Sequence, residues 1–95
     1  MKILPFLSRQ HNRPFIRIVR LIDNIQKVFD ENNVSAETYY QKQLSGLKNQ
    51  LTKGNYENLN YWLINIYRPL IDDGMYEKVS NELNLLETEL SKISR

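Results

Sequence analysis

The sequence has no cysteine and a single histidine, His11. Without thiols there is no disulfide framework, thiol nucleophile or iron–sulfur site. One imidazole cannot complete a zinc finger or a multi-histidine centre. Glycine and proline are scarce, three of each in 95 residues. No glycine-rich phosphate loop and no nucleophile elbow can be assembled from them. No apolar run nears the roughly 20 residues that span a bilayer as a helix. The opening segment, Met1 to Leu7, places a lysine before a short apolar patch interrupted by Pro5. A secretion signal needs about 7–15 apolar residues, so the expected location is the cytoplasm.

What is present is one domain's worth of chain, residues 1–95, with helical periodicity and few breaks. Four helices are expected, over about residues 14–30, 36–53, 56–71 and 75–93, after a short N-terminal arm at 1–12. In the first, Asn12 is the N-cap and Pro14 sits in the first turn, where its missing N–H has no helical partner. Phe15, Ile18, Ile22, Ile25 and Phe29 step by three and four. Val19, Leu21 and Val28 widen that stripe. In the second, Ser35 is the expected cap, Tyr40, Leu44, Leu47 and Leu51 form the stripe, and Gly54 closes the helix. Gly46 lies inside it at a cost of about 1 kcal/mol against alanine, which marks a close helix–helix approach. In the third, Asn55 is the cap and Leu59, Leu63, Ile66 and Leu70 form the stripe. Trp62, Ile64 and Tyr67 add apolar surface beside it, so this helix is expected to be the most buried, with a kink or early end at Pro69. In the fourth, Asp72 or Asp73 is the cap and Val79, Leu83, Leu86, Leu90 and Ile93 form a narrow stripe. Glu77, Glu82, Glu87, Glu89 and Lys92 take the exposed positions. The fold class this predicts is all-α: a compact four-helix bundle, up-down or irregular.

The net charge of +2 hides an asymmetry. Residues 1–30 balance to +4, residues 31–53 to +1 and residues 54–95 to −3. Arg13, Arg17 and Arg20 share one helix face and Arg9 lies upstream. They are a candidate basic patch for phosphates or an acidic partner. The competing reading is a solvated face, with Arg20 paired to Asp23 and the acidic fourth helix alongside. Asp72-Asp73 is an adjacent acidic pair, and it lacks the ligand spacing of a calcium loop, so it reads as a helix cap. His11 reads as an exposed loop residue. Ser, Lys and Tyr occur, but no spacing ties them to a base. No catalytic residue, metal ligand or cofactor is expected, and the protein is expected not to be an enzyme.

Six tyrosines and one tryptophan form a high aromatic load. Such side chains combine large area with a polar tip and are enriched at interfaces. Trp62 is expected in the core or at its edge, and Tyr61 on the surface. The stretch Leu51-Thr52-Lys53-Gly54-Asn55-Tyr56-Glu57, leading through Trp62-Leu63 to Leu70-Ile71-Asp72-Asp73-Gly74, is similar in layout to small α-helical bacterial immunity proteins. The resemblance covers roughly residues 44–90. It implies a helical partner-binding protein that neutralises a bacteriocin or contact-delivered toxin by stoichiometric binding, without chemistry of its own. The overall basic balance departs from the acidic character of inhibitors of nuclease toxins. Tyr61, Tyr67, Asp72, Asp73, Tyr76 and Glu77 are the candidate contact residues. Two other functions fit the residues: a nucleic-acid-associated or phage-type regulator using Arg9, Arg13, Arg17 and Arg20, and an assembly subunit that forms a homodimer through the fourth helix.

Overall fold

The computed structural model describes the backbone of residues 3–94 and the side chains of residues 15–94. Among these residues the chain is helical and contains no strand: α1 (Ile3–Glu31), α2 (Tyr39–Thr52), α3 (Tyr61–Ile64), α4 (Tyr67–Asp72) and α5 (Tyr76–Ile93). It is a small helical bundle, with the third helix divided into α3 and α4.

Each periodic stripe lands in the core. Ile18, Ile22, Ile25 and Phe29 from α1 meet Tyr40, Leu44, Leu47 and Leu51 from α2. Leu59, Leu63, Ile66 and Leu70 from the broken third helix and Val79, Leu83, Leu86 and Leu90 from α5 complete it. All sixteen are essentially inaccessible to solvent. Pairings between helices fix the direction of the chain. Asp23 pairs with Lys48, and the Gln26 Nε2 donates to the Ser45 hydroxyl at 3.1 Å, so α2 runs antiparallel to α1. Arg17 meets Glu89 near the end of α5, whereas Phe29 packs on Tyr40, whose hydroxyl reaches Asp73 just before α5. α5 therefore also runs antiparallel to α1, and these two helices form the most extensive contact of the bundle.

Three helix ends share one device. Asn33, Gly54 and Gly74 follow α1, α2 and α4 with φ of 62°, 78° and 71°. At each, the next residue's N–H donates five residues back: Val34 to Phe29, Asn55 to Gln50 and Met75 to Leu70. This is the Schellman closure, in which a left-handed residue lets the chain turn back onto orphaned carbonyls. Two of the three are sealed by apolar pairs belonging to the core. The third is sealed by the Asn55 amide donating to Gln50 at 2.7 Å.

Several expectations are corrected. The helix assigned to about 14–30 begins at Ile3, so backbone placed in an N-terminal arm is helical and Asn12 is inside the helix. Pro14 is an interior residue. It has no N–H to donate to the carbonyl of residue 10, so that one bond of the helix is missing. Neither Ser35, Asn55 nor the Asp72-Asp73 pair is the N-cap of a helix; Asp72 ends α4 and Asp73 is its C-cap. Ser35 Oγ accepts from the Glu37 N–H in a turn, Asn55 Oδ1 does the same for Glu57, and the caps of α2, α3 and α5 are Thr38, Asn60 and Met75 without side-chain bonds. The third helix is not the most buried. It breaks at Asn65-Ile66, four residues before Pro69, because the absent Pro69 N–H is the one that would have bonded the Asn65 carbonyl. Pro69 then falls in the first turn of α4, where it is tolerated.

Candidate functional site

The break in the third helix shapes the surface of the molecule. Core contacts of this segment use Leu59, Leu63, Ile66, Leu70 and Met75. The pieces between them are too short to bury a second face. Tyr61, Ile64 and Ile71 are therefore 59%, 64% and 57% exposed, making up half of the large exposed hydrophobic side chains among the described residues. Scattered exposed apolar residues are ordinary, whereas three within one short segment form a feature.

Two depressions flank this ridge. The larger, about 550 Å³, is lined by Glu57, Asn58, Asn60, Tyr61, Trp62, Ile64 and Ser94. Its rim is held by the backbone. Asn58 takes a left-handed conformation, φ 53°, and the N–H of buried Leu59 donates to the Ser94 hydroxyl at 3.1 Å, tying the turn to the end of α5. Trp62 is half-buried over Gly46 of α2, where a Cβ would stand 2.4 Å from the indole. The close approach expected at Gly46 is thus a helix backbone against an aromatic ring. Tyr61 and Trp62 meet edge to face, with centroids 6.3 Å apart and planes at 84°. The smaller depression, about 270 Å³, is lined by Ile71, Gly74, Tyr76 and Glu77.

The six candidate contact residues separate into three groups. Tyr61 borders the first depression, and Tyr76 and Glu77 line the second. Asp72 is exposed beside Ile71, with Arg68 at 3.5 Å, a pairing worth little on an open surface. Tyr67 and Asp73 serve internal ties. The Tyr67 hydroxyl donates to the Glu87 carboxylate and its ring packs 6.0 Å from Tyr76. The Tyr40 hydroxyl donates to Asp73 at 2.7 Å. Burial, together with the hydrogen bond and charge of Asp73, pushes the Tyr40 phenol up to about 12. Burial and the Glu87 contact raise Tyr67 in the same sense. Ile64, Ile71, Trp62 and Glu57 were not among the candidates. The signal for the isoleucines was available: each lies one step off the 59/63/66/70 stripe, which places it outside the core on a helix of period 3.6.

The basic candidates are placed only in part. The side chains of Arg9 and Arg13 lie outside the described residues. Arg17 meets Glu89 at 3.3 Å, and Lys92 approaches the same carboxylate oxygen at 3.3 Å. Glu89, expected on the exposed face, is buried between α5 and α1. Burial raises its pKa, but the hydrogen bonds and charges of Lys92 and Arg17 outweigh that and hold it below the ordinary glutamate value. Asp23 pairs with Lys48 of α2 and not with Arg20. The match between a basic α1 and an acidic last helix is thus realised at Arg17–Glu89.

Among the described residues every buried polar side-chain atom has a partner, and no helix is long and apolar enough to cross a membrane. No family model, curated protein or solved structure matches the chain.

Proposed function

We propose that this chain is a non-catalytic protein-binding module that acts in the cytoplasm as an immunity protein, neutralising a cognate bacterial toxin by forming a stoichiometric complex. The observation that carries the reading is the ridge of Tyr61, Ile64 and Ile71, each more than half exposed and flanked by acidic residues. Aromatic and aliphatic side chains standing out of a polar surface are the usual anchors of protein recognition. A standard interface needs about 800 Å² from each partner, an area that a ridge and two adjoining depressions on a two-helix face can supply. The nucleic-acid alternative is weakened because Arg17, one of its four proposed phosphate contacts, is engaged by Glu89.

The test is co-expression with the product of the adjacent reading frame in the source genome. The reading expects that product to be toxic alone, growth to be restored by this chain, and the two to elute as a 1:1 complex. Growth arrest that this chain leaves unchanged, with no complex formed, overturns it.

A further inference from the structure

We propose that the larger depression is a receptor for one cationic side chain, a lysine or arginine carried on an exposed segment of the partner protein. The proposal rests on the protein-binding reading and adds the chemistry of one contact. Trp62 and Tyr61 stand at 84° to each other, so their rings form two walls of a corner. The Trp62 wall is braced from behind by the Gly46 backbone. Ring faces carry negative charge density and attract ammonium and guanidinium groups, tryptophan most strongly. Glu57 is the one charged side chain among the described lining residues, and no lysine or arginine is among them. Ile64 supplies an apolar wall for the methylene stem that such a side chain brings with it. Asn58 and Asn60 offer amide oxygens to N–H donors.

The segment that supplies most of the lining is acidic along the sequence, with Lys53 and Lys78 at its two ends. Between residues 54 and 77 stand Glu57, Asp72, Asp73 and Glu77 against Arg68 alone. A positively charged segment is drawn towards this face. An acidic or phosphorylated segment finds no counter-charge among the described lining residues.

The experiment titrates the full-length protein with the methylamides of N-acetyl-arginine and N-acetyl-lysine, and with that of N-acetyl-norleucine as the uncharged control. Binding is read from backbone amide chemical shifts and from the emission of Trp62, the sole tryptophan. The expected result is saturable millimolar binding of the two cations, with shifts centred on residues 57–64 and 94. Glu57 is exposed, so Glu57→Gln keeps the fold and weakens binding about threefold, the scale of one solvent-exposed charge pair. Equal shifts from norleucine, non-saturating shifts spread evenly over Asp72 and Glu77, or unchanged affinity in Glu57→Gln would each overturn the proposal. The titration uses no partner, so its failure leaves the toxin-neutralising reading standing. A failed growth-rescue experiment leaves the side-chain receptor to be judged on the titration.

Discussion

Gly46 is where a single residue most directly couples packing to the surface. Helix propensity alone favours alanine there by about 1 kcal/mol. The added methyl would meet the Trp62 ring at 2.4 Å, and overfilling a packed contact costs about 1–3 kcal/mol. Gly46→Ala is therefore expected to lower stability despite better propensity, and to shift the Trp62 emission to longer wavelength as the ring moves outward. Thermal unfolding monitored by circular dichroism, with fluorescence alongside, reads both effects. A more stable protein with unchanged emission would contradict the contact. Glu89 makes a residue-scale case of the opposite kind. Its carboxylate is held by Arg17 and Lys92, and its pKa is lowered in the fold. The stabilisation is complete above the unfolded value, about 4.3, and is lost as pH falls through the lowered folded value. Glu89→Gln is expected to be less stable at neutral pH and to show a flatter acid limb in urea titrations between pH 6 and about 3. The glycine's close approach could be read from sequence because an interior helical glycine asks for a reason. The burial of Glu89 could not, because its position one residue before Leu90 places it at the margin of the stripe, and only the neighbouring α1 decides which side of the margin is covered.

At the scale of elements, periodicity located every core stripe but misplaced several ends. Stripes are repeated signals, three or four residues saying the same thing. An end depends on one bond. Ser35 and Asn55 carry the right side chains for caps, yet each accepts its hydrogen bond in a turn that precedes the helix by several residues. The closure at Gly54 was more legible, since this glycine holds a conformation that other residues adopt reluctantly. No atom lies within 4 Å of a Cβ built on Gly54, so Gly54→Ala isolates the backbone term. It is expected to cost about 1 kcal/mol and to leave Trp62 emission unchanged, which distinguishes it from Gly46→Ala. The hydroxyl ties between elements give a further expectation. Tyr40 joins α2 to the turn before α5, and its phenol is raised from 10.0 to about 12. A raised folded pKa means the tie is intact below pH 10 and fails as pH rises towards 12. Tyr40→Phe is expected to lose about 1 kcal/mol at neutral pH and to lose less stability than the parent on raising the pH above 10, as measured by denaturant midpoints.

For the whole molecule, folding and recognition fall to different residues of the same short segment. Leu59, Leu63, Ile66 and Leu70 are buried to the last percent, while Tyr61, Ile64 and Ile71 alternate with them and stand in solvent. The break at Asn65-Ile66 makes this possible, because two short pieces can each turn one face inward and leave the other uncovered. The sequence showed the inward set clearly. It also led to the belief that extra apolar residues signal extra burial, when here they signal a surface that the fold does not use. This division predicts a clean separation of effects. Ile64→Ser and Ile71→Ser remove apolar area that is already wet, so each is expected to change unfolding free energy by no more than about 0.5 kcal/mol. If the ridge anchors a partner, the double variant is expected to weaken the complex by about 2 kcal/mol or more, the scale of a truncated hot spot, or roughly thirtyfold in Kd. Leu63→Ala is the counterpart: about 2–5 kcal/mol of stability lost through a cavity in the core, with binding reduced only to the extent that the protein is unfolded. Calorimetric titration and denaturant unfolding on these four variants separate the two roles. A double ridge variant that binds as the parent does would move the interface elsewhere on the bundle.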